Sequence, residues 1–317
     1  MIQGCEALSY PTIGIVLLGG LSDPDRRIPG HPSAGFAYTS CNFNIRTRTR
    51  IFFKDGPSSI TINGKTIDPN SPRSPINLIN RYLKETNIQN GNISIVSNNN
   101  GIISGSSDSG AAALAIAAGK IFGVADPHKL ETDFREISES IGRSLFGGLT
   151  VTAIRNGKYL TETVVPWSEF DDFRIVAFKF SSSRNPSDVI HSNIVRSPRY
   201  KDRTESAVKK CDTVKKLASV NDIRGIFDLS MQDTEEYHEL IESVGVRVIS
   251  GEMRQLITNV SRMRKDFWCS YIVTGGTNVF VPVEKENVDK IKKLSVEFNC
   301  GVDILRVAPG ARPFLEF

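Results

Sequence analysis

The chain contains the stretch SNNNGIISGSSDSG (residues 97–110), which continues without a break into AAALAIAAGK (residues 111–120). A loop of small and hydroxyl-bearing residues that opens an alanine-rich helix presents free backbone N–H groups and the positive end of the helix dipole at one point. This geometry suits an anion, most often a phosphate. An ordinary helix start accounts for the stretch equally well, with Ser106, Ser107 or Asp108 as the capping residue.

Two common phosphate-binding patterns do not fit this stretch. The P-loop pattern GxxxxGK followed by Ser or Thr requires a lysine, and none stands at that position. No G-x-G-x-x-G run opens a helix after a strand, so the dinucleotide-binding fingerprint is missing as well. Neither the P-loop NTPase fold nor the Rossmann fold is indicated.

Length and composition indicate a globular protein. The chain has 317 residues, of which 39% are hydrophobic and 23% charged, and this length favours two domains. No run of about 18 apolar residues could cross a bilayer. The apolar run at residues 13–20 lacks the basic segment of a signal peptide in front of it, so we expect a cytoplasmic protein with no membrane partner.

Charge and cysteine usage exclude two further classes of protein. The net charge is only +4, and the arginines of RTRTR (residues 46–50) alternate as on one face of a strand, while Lys209, Lys210, Lys215 and Lys216 suit the solvated side of a helix. No aromatic residues accompany this charge, so we expect no nucleic-acid partner. Five scattered cysteines form no CxxC pair, and no protein-borne metal site is predicted.

The hydrophobic pattern predicts an α+β protein. Asn63-Gly64 lies between two β-rich arms and predicts a hairpin, and Asp171-Asp172 marks a boundary between domains at residues 1–171 and 172–317. We expect strands at residues 8–20, 34–54, 92–96, 150–155, 158–165, 173–180, 270–273, 278–283 and 302–307. We expect helices at residues 74–84, 201–218, 221–240, 250–264 and 285–297, and another from Pro127 through residues 136–142 into residues 143–150.

Glu139 and Arg143 are the charged pair that the sequence favours as part of a functional site. They are four residues apart, so on one continuous helix they project from the same face. A surface ion pair is the ordinary interpretation of this spacing. Gly142, Gly147 and Gly148 crowd the pair, however, and the chain runs directly into a strand of buried character, which favours a role in a site.

Taken in order, three motifs resemble the GHMP kinase superfamily and, within it, the mevalonate diphosphate decarboxylase branch. They are GSSDSG (residues 105–110), RSLFGG (residues 143–148) and TGGTN (residues 274–278). The resemblance covers nearly the whole chain, and RSLFGG is its most specific part. It implies a two-domain GHMP fold with the active site in the cleft between the domains.

Three departures from the decarboxylases bear on the reaction. Those enzymes have an aspartate where this chain has Thr274, a lysine near Leu18, and a small residue in place of Glu139. A hydroxyl cannot take up a proton as a carboxylate can, so decarboxylation is not expected. A glutamate would repel a substrate diphosphate but could accept a hydrogen bond from a free 5-hydroxyl. The combination resembles the archaeal mevalonate 3-kinases.

The resemblance implies ATP-dependent phosphorylation of the 3-hydroxyl of mevalonate, with Mg2+ and a homodimeric state. Arg143 would bind the substrate carboxylate, and Arg184 would orient Glu139 or reach the nucleotide phosphates. His191 and His238 are predicted to be structural or exposed. The predicted substrate-binding residues are Leu18, Glu139, Arg143 and Thr274, and the predicted nucleotide-binding residues are Ser104, Gly105, Ser106, Ser107, Arg184 and Ser192.

Two alternatives stay open. A decarboxylase of a phosphorylated mevalonate would share all three motifs. A nucleotide-binding relative without catalytic activity would also lack the aspartate and the lysine. A homoserine or sugar kinase is less consistent, because RSLFGG does not belong to those branches.

Overall fold

The structure is a computed structural model that describes residues 3–71, 74–86, 92–181 and 186–317. The strands are β1 (Gly4–Ser9), β2 (Thr12–Val16), β3 (Leu21–Asp23), β4 (Ile28–Pro29), β5 (Ser33–Ser40), β6 (Arg46–Phe53), β7 (Ser59–Ile62), β8 (Lys65–Ile67), β9 (Ile93–Asn100), β10 (Leu149–Arg155), β11 (Lys158–Val165), β12 (Phe173–Lys179), β13 (Ile272–Val273), β14 (Asn278–Glu284), β15 (Gly301–Val307) and β16 (Arg312–Glu316). The helices are α1 (Pro75–Glu85), α2 (Ser106–Phe122), α3 (Pro127–Phe134), α4 (Ile141–Phe146), α5 (Ser187–Ile194), α6 (Tyr200–Ser219), α7 (Ile223–Ser243), α8 (Gly251–Met263), α9 (Val288–Lys292) and α10 (Leu294–Glu297).

A six-stranded sheet supports the helix that begins at the glycine- and serine-rich loop. Its strand order is β16-β1-β6-β9-β7-β8, and α2 packs across β1 and β6. The alanines of α2 are buried almost completely, since small side chains let the helix approach the sheet closely. In β6 the predicted alternation is confirmed, because Thr47 and Thr49 face this core while Arg48 and Arg50 face outward and pair with Glu6.

An eight-stranded sheet joins the two halves of the chain. Its order is β11-β10-β5-β15-β12-β14-β13, and β2 pairs with β5. Strands β5 and β15 are neighbours, so strands from before and after residue 171 share one hydrogen-bonded sheet. The C-terminal strand β16 returns to β1 in the other sheet. The domain boundary at residues 171 and 172 stays a prediction.

Most predicted elements are present, and the mixture of helices and sheets confirms the α+β class. The Asn63-Gly64 turn joins β7 to β8 with both residues at positive φ, as this type of hairpin requires. The predictions for residues 8–20 were too simple, because Tyr10 and Pro11 separate β1 from β2. Helix α5 and strand β16 were not predicted.

The long helix predicted from Pro127 to residue 150 is wrong. The chain forms α3, then a turn at residues 135–140, and then α4. Ser138 and Ser140 lie in this turn, and the Ser138 hydroxyl donates a hydrogen bond to Asp108 in the first turn of α2. Glu139 therefore precedes α4 instead of lying on the same helix as Arg143.

The prediction of a solvated lysine face on α6 also fails at Lys210. Its ammonium group lies 3.0 Å from Asp233 Oδ1 and 2.6 Å from Glu236 Oε2, with the side chain only 12% exposed.

Among the described residues, no helix combines the length and the apolar composition that crossing a bilayer requires.

Candidate active site

A cavity of about 300 Å3 lies where β2, α2, α4, α5 and the β13–β14 loop meet. It brings together most of the predicted site residues, which come from both sides of residue 171. Those that line it are Leu18, Ser104, Gly105, Ser106, Ser107, Glu139, Arg143 and Thr274. Residues that sequence reasoning did not assign to the site also line it, among them Thr12, Arg27, Asp108, Asp188, His191 and Tyr237.

The start of α2 opens into this cavity without a side-chain cap. Gly105 is the N-cap residue, with φ +69°, and no side chain of the described part of the chain makes a capping hydrogen bond there. The predicted capping by Ser106, Ser107 or Asp108 is therefore wrong. A β-carbon at Gly105 would lie 2.4 Å from the backbone nitrogen of Thr12, so only glycine fits. Uncapped N–H groups at a helix start attract an anion.

Two side chains from the large sheet hold the loop in front of α2. The Tyr38 hydroxyl accepts hydrogen bonds from the N–H groups of Ile103 (3.2 Å) and Ser104 (3.0 Å) and donates to the Ser104 carbonyl. The Asn278 amide donates to the Ile103 carbonyl at 2.9 Å. The loop is thus oriented by residues far away in the sequence.

Arg143 lies flat in the floor of the cavity and is only 6% exposed. It passes over Gly14 and Gly35, where a β-carbon would lie within 3.1 Å and 2.8 Å of its side chain. Its Nη2 donates to the hydroxyl of Ser33 at 2.9 Å, and its buried Nε has no partner among the described residues. Burial lowers the pKa of Arg143 below its ordinary value. No carboxylate within residues 3–71, 74–86, 92–181 and 186–317 is bonded to the guanidinium, which faces the cavity and can bind an anion there.

Glu139 is held by two side chains from other parts of the chain. Arg27 donates from Nε (2.8 Å) and Nη2 (2.6 Å) to the same Glu139 oxygen, Oε2. The N–H of Gly20 donates to His191 Nδ1 at 3.0 Å, so Nε2 of His191 carries a proton, and it lies 3.2 Å from Glu139 Oε1. Burial alone would raise the pKa of Glu139, but the hydrogen bond from His191 and the charge of Arg27 outweigh it and hold the pKa below its ordinary value.

Asp108 is a second buried carboxylate in the wall of the cavity. It lies in the first turn of α2, is 7% exposed, and accepts hydrogen bonds from the hydroxyls of Thr12 and Ser138. Burial raises the pKa of Asp108, although the nearby charge of Arg143 acts in the opposite direction. Asp108 and Glu139 therefore have opposite pKa shifts.

Leu18 and Thr274 complete the wall near the loop. Thr274 Oγ1 lies 3.4 Å from Ser104 Oγ, so the late TGGTN loop reaches the start of α2. The backbone next to Leu18 is fixed from behind, because the N–H of Leu17 donates to Asp233 (2.7 Å) and its carbonyl accepts from Arg203 (2.5 Å).

Two predicted nucleotide-binding residues are not placed in the cavity. Ser192 is exposed, donates to the Val189 carbonyl at 3.1 Å, and does not line the cavity. Arg184 lies outside the described residues. His238 is buried with Nε2 2.9 Å from the Val273 carbonyl, which agrees with the predicted structural role, whereas His191 contacts Glu139 in the cavity.

A second cavity, of about 240 Å3, lies on the other side of the loop. It shares Ser106, Ser107 and Ile137 with the first, so the start of α2 separates the two. Its remaining lining is mostly apolar and includes Ile60, Ile62, Ile95, Ala111 and Leu114. A flat apolar group could occupy it while a charged group attached to that group reached the helix start.

Comparison with known proteins identifies relatives along the whole chain. Residues 9–162 match the model for the diphosphomevalonate decarboxylase-like N-terminal domain, and residues 185–289 match the model for the mevalonate-3-kinase C-terminal domain. Mevalonate 3-kinase from Thermoplasma acidophilum is 45% identical over 96% of this chain and 95% of that protein. Mevalonate-3-kinase from Picrophilus torridus is 42% identical over 95% and 94%.

Solved structures agree with these relatives. The crystal structure of the Thermoplasma acidophilum enzyme with mevalonate 3-phosphate and ADP bound has a TM-score of 0.94 and 42% identity, and each chain is covered completely. Mevalonate diphosphate decarboxylase from Staphylococcus aureus has a TM-score of 0.87 at 19% identity over 99% of each chain, and therefore shares the fold. By its identity to these relatives over nearly its full length, the chain belongs to the mevalonate 3-kinase family.

Proposed function

We propose that this protein transfers the γ-phosphoryl group of ATP to the 3-hydroxyl of (R)-mevalonate, giving 3-phosphomevalonate and ADP without decarboxylation. The step belongs to an archaeal-type mevalonate pathway to isoprenoids. One observation carries the proposal: a single cavity contains a helix start with a glycine N-cap, a buried guanidinium to which no carboxylate among the described residues is bonded, and a glutamate whose side chain is only 12% exposed. The Thermoplasma acidophilum relative has been crystallised with mevalonate 3-phosphate and ADP, which supports this assignment.

The nucleotide is proposed to span the two cavities. Its triphosphate lies at the start of α2 against Ser104, Gly105, Ser106 and Ser107, and its adenine enters the apolar second cavity. Hydroxyl oxygens of these serines, together with phosphate oxygens, are the hard ligands that Mg2+ prefers, so the residues present fit the ion. When bound, Mg2+ neutralises part of the phosphate charge.

Mevalonate is proposed to lie between the charged groups of the first cavity. Arg143 binds its C1 carboxylate, and Glu139 accepts a hydrogen bond from its 5-hydroxyl. Leu18 and Thr274 flank the 3-hydroxyl. Its oxygen forms the new bond to the γ-phosphorus as the bond to the bridging oxygen of ADP breaks, and the hydroxyl proton leaves to solvent or phosphate. Phosphoryl transfer through a loose transition state depends mainly on alignment, so no strong base is needed.

Several narrower assignments stay predictions. Ser192 and Arg184 are kept as candidates for contact with the nucleotide or with Glu139. A homodimer and a cytoplasmic location are expected as well. None of these is needed for the proposed reaction.

The test is an assay of ADP formation with mevalonate, 5-phosphomevalonate and 5-diphosphomevalonate, combined with phosphorus NMR of the product. We expect turnover with mevalonate and a phosphate ester on the tertiary carbon. Release of CO2 with ATP consumption would identify a decarboxylase instead. Binding of ATP without ADP formation from any of the three would identify a relative without catalytic activity.

A further inference from the structure

Arg27 is a buried arginine whose guanidinium faces the cavity but belongs to no predicted motif. Its side chain is 7% exposed, and it lines the cavity beside Glu139. It stands just before β4 in the short β3–β4 hairpin with φ +51°, a left-handed conformation that is unfavourable for arginine. Strained residues of this kind cluster at functional sites.

The guanidinium is committed to two carboxylates. Nε and Nη2 donate to Glu139 Oε2, and Nη1 donates to Asp188 Oδ1 at 3.0 Å. Glu139 therefore takes two of the N–H groups that would form one side of the arginine fork. Nε and Nη2 together can donate two parallel hydrogen bonds, and this is how guanidinium groups recognise phosphate.

We propose that Arg27 is a latent phosphate-binding site that Glu139 keeps occupied. The proposal rests on the function proposed above, in which the 5-hydroxyl of the substrate lies at Glu139. The phosphate of a substrate phosphorylated at the 5-position would lie next to Arg27, which could bind it. The Arg27 guanidinium is already bonded to Glu139, however. Glu139 thus excludes a phosphorylated substrate in two ways, by repelling it and by masking Arg27.

The two effects can be separated by a pair of variants. Glu139→Ser removes both the repulsion and the mask, so we expect 5-phosphomevalonate and inorganic phosphate to bind more tightly than to the unaltered protein, by about tenfold or more. Glu139→Ser combined with Arg27→Gln removes the repulsion but also the cation, so most of this gain should be lost. Binding is measured by isothermal titration calorimetry without ATP.

A matched control tests whether any lost positive charge has the same effect. Arg199 is exposed and pairs with Glu239 on α7, outside the cavity. Glu139→Ser combined with Arg199→Gln should keep the gain that Glu139→Ser produces. Thermal unfolding is recorded for every variant, and Glu139→Gln replaces Glu139→Ser if the smaller residue does not fold.

Two results would overturn the proposal. If the Arg27→Gln double variant binds phosphate as tightly as Glu139→Ser, the gain comes only from lost repulsion. If folded Glu139→Ser and Glu139→Gln bind phosphate no better than the unaltered protein, Arg27 is not a phosphate site. Neither result depends on turnover of mevalonate, so the proposed function is tested separately by the kinase assay.

Discussion

Two arginines line the same cavity and are both 6% exposed, yet their surroundings differ completely. Arg27 bonds to two carboxylates, Glu139 and Asp188. Arg143 bonds to the neutral hydroxyl of Ser33, and its Nε has no partner within the described part of the chain. Burying a charge is costly unless it is paired. Because no described residue supplies Arg143 with a bonded counter-ion, we assign it to an anionic ligand in the proposed binding mode.

In the proposed binding mode, this difference lets one cavity select a carboxylic acid with a free hydroxyl. The end at Arg143 attracts a negative charge. The end at Glu139 is already neutralised and offers an acceptor, since its carboxylate stays ionised between Arg27 and His191. Burial of an arginine therefore does not by itself identify an anion site. The groups bonded to the arginine decide whether it can bind an anion.

The largest expected effect separates the two arginines directly. Arg143→Lys should raise the KM for mevalonate and lower turnover, with a loss in kcat/KM on the order of a hundredfold, because an ammonium cannot replace the guanidinium fork. Arg27→Lys keeps a positive charge beside Glu139 and, in the proposed binding mode, changes no direct contact with mevalonate, so it should cost only several-fold. Steady-state kinetics with mevalonate as the varied substrate measures both. An Arg143→Lys variant with an unchanged KM would contradict the assignment of the carboxylate to this end.

A second variant tests the proposed nucleotide site without changing either arginine. Gly105→Ala combines a positive φ with a clash against Thr12, so the KM for ATP should rise about tenfold or more. Gly123→Ala is the matched control, because Gly123 has φ +72° at the other end of α2 but open space around it. The control should lose about 1 kcal/mol of stability from strain without a change in the KM for ATP. Equal KM values for the two variants would argue against a phosphate at the start of α2.

A third test concerns how the stability that Glu139 contributes depends on pH. The pKa of Glu139 is lowered in the folded protein, so its stabilising effect is complete above its unfolded pKa of 4.5 and is lost as pH falls toward the folded value. Glu139→Gln should be less stable than the unaltered protein at pH 7, by roughly 1–3 kcal/mol. Chemical denaturation between pH 3 and pH 7, in about five steps, should show this gap closing below about pH 4.5. A gap that stays constant with pH would mean that Glu139 is not held ionised.

The smallest expected effect is that of replacing Asp108, which should change stability in the opposite direction to replacing Glu139. The pKa of Asp108 is raised by burial, so folding costs free energy at any pH at which the unfolded carboxyl is ionised, and this cost disappears as pH falls below the unfolded pKa of 3.8. Asp108→Asn should therefore match or exceed the stability of the unaltered protein at pH 7, by up to about 1 kcal/mol. The same denaturation series measures it. A clear loss of stability at pH 7 would show that the charge of Asp108 is needed beside Arg143.

The predictions that succeeded rest on local patterns. The Asn63-Gly64 hairpin and the alternation in β6 follow from the conformations that neighbouring residues allow. The alanine-rich helix after the glycine loop was expected for the same reason. The prediction failed at residues 135–140, where a turn that bonds to Asp108 through Ser138 interrupts the helix that hydrophobic spacing alone would continue.

The partners of Glu139 could not be predicted in this way. Arg27 lies 112 residues before it and His191 lies 52 residues after it. His191 belongs to α5, which was not predicted, and Arg27 stands in a short hairpin with no motif. Arg184, the partner that the resemblance suggested, lies outside the described residues.

The sequence by itself determined which residue types could serve a phosphate, a carboxylate and a hydroxyl, since a glycine before a helix, an arginine in RSLFGG and a lone glutamate can be found without coordinates. Only the tertiary structure decided which of these groups are neutralised and which are open. The physical reason is that the charge state of a buried side chain depends on its nearest partners. Those partners are set by strand order and helix packing, which join residues that no local pattern connects.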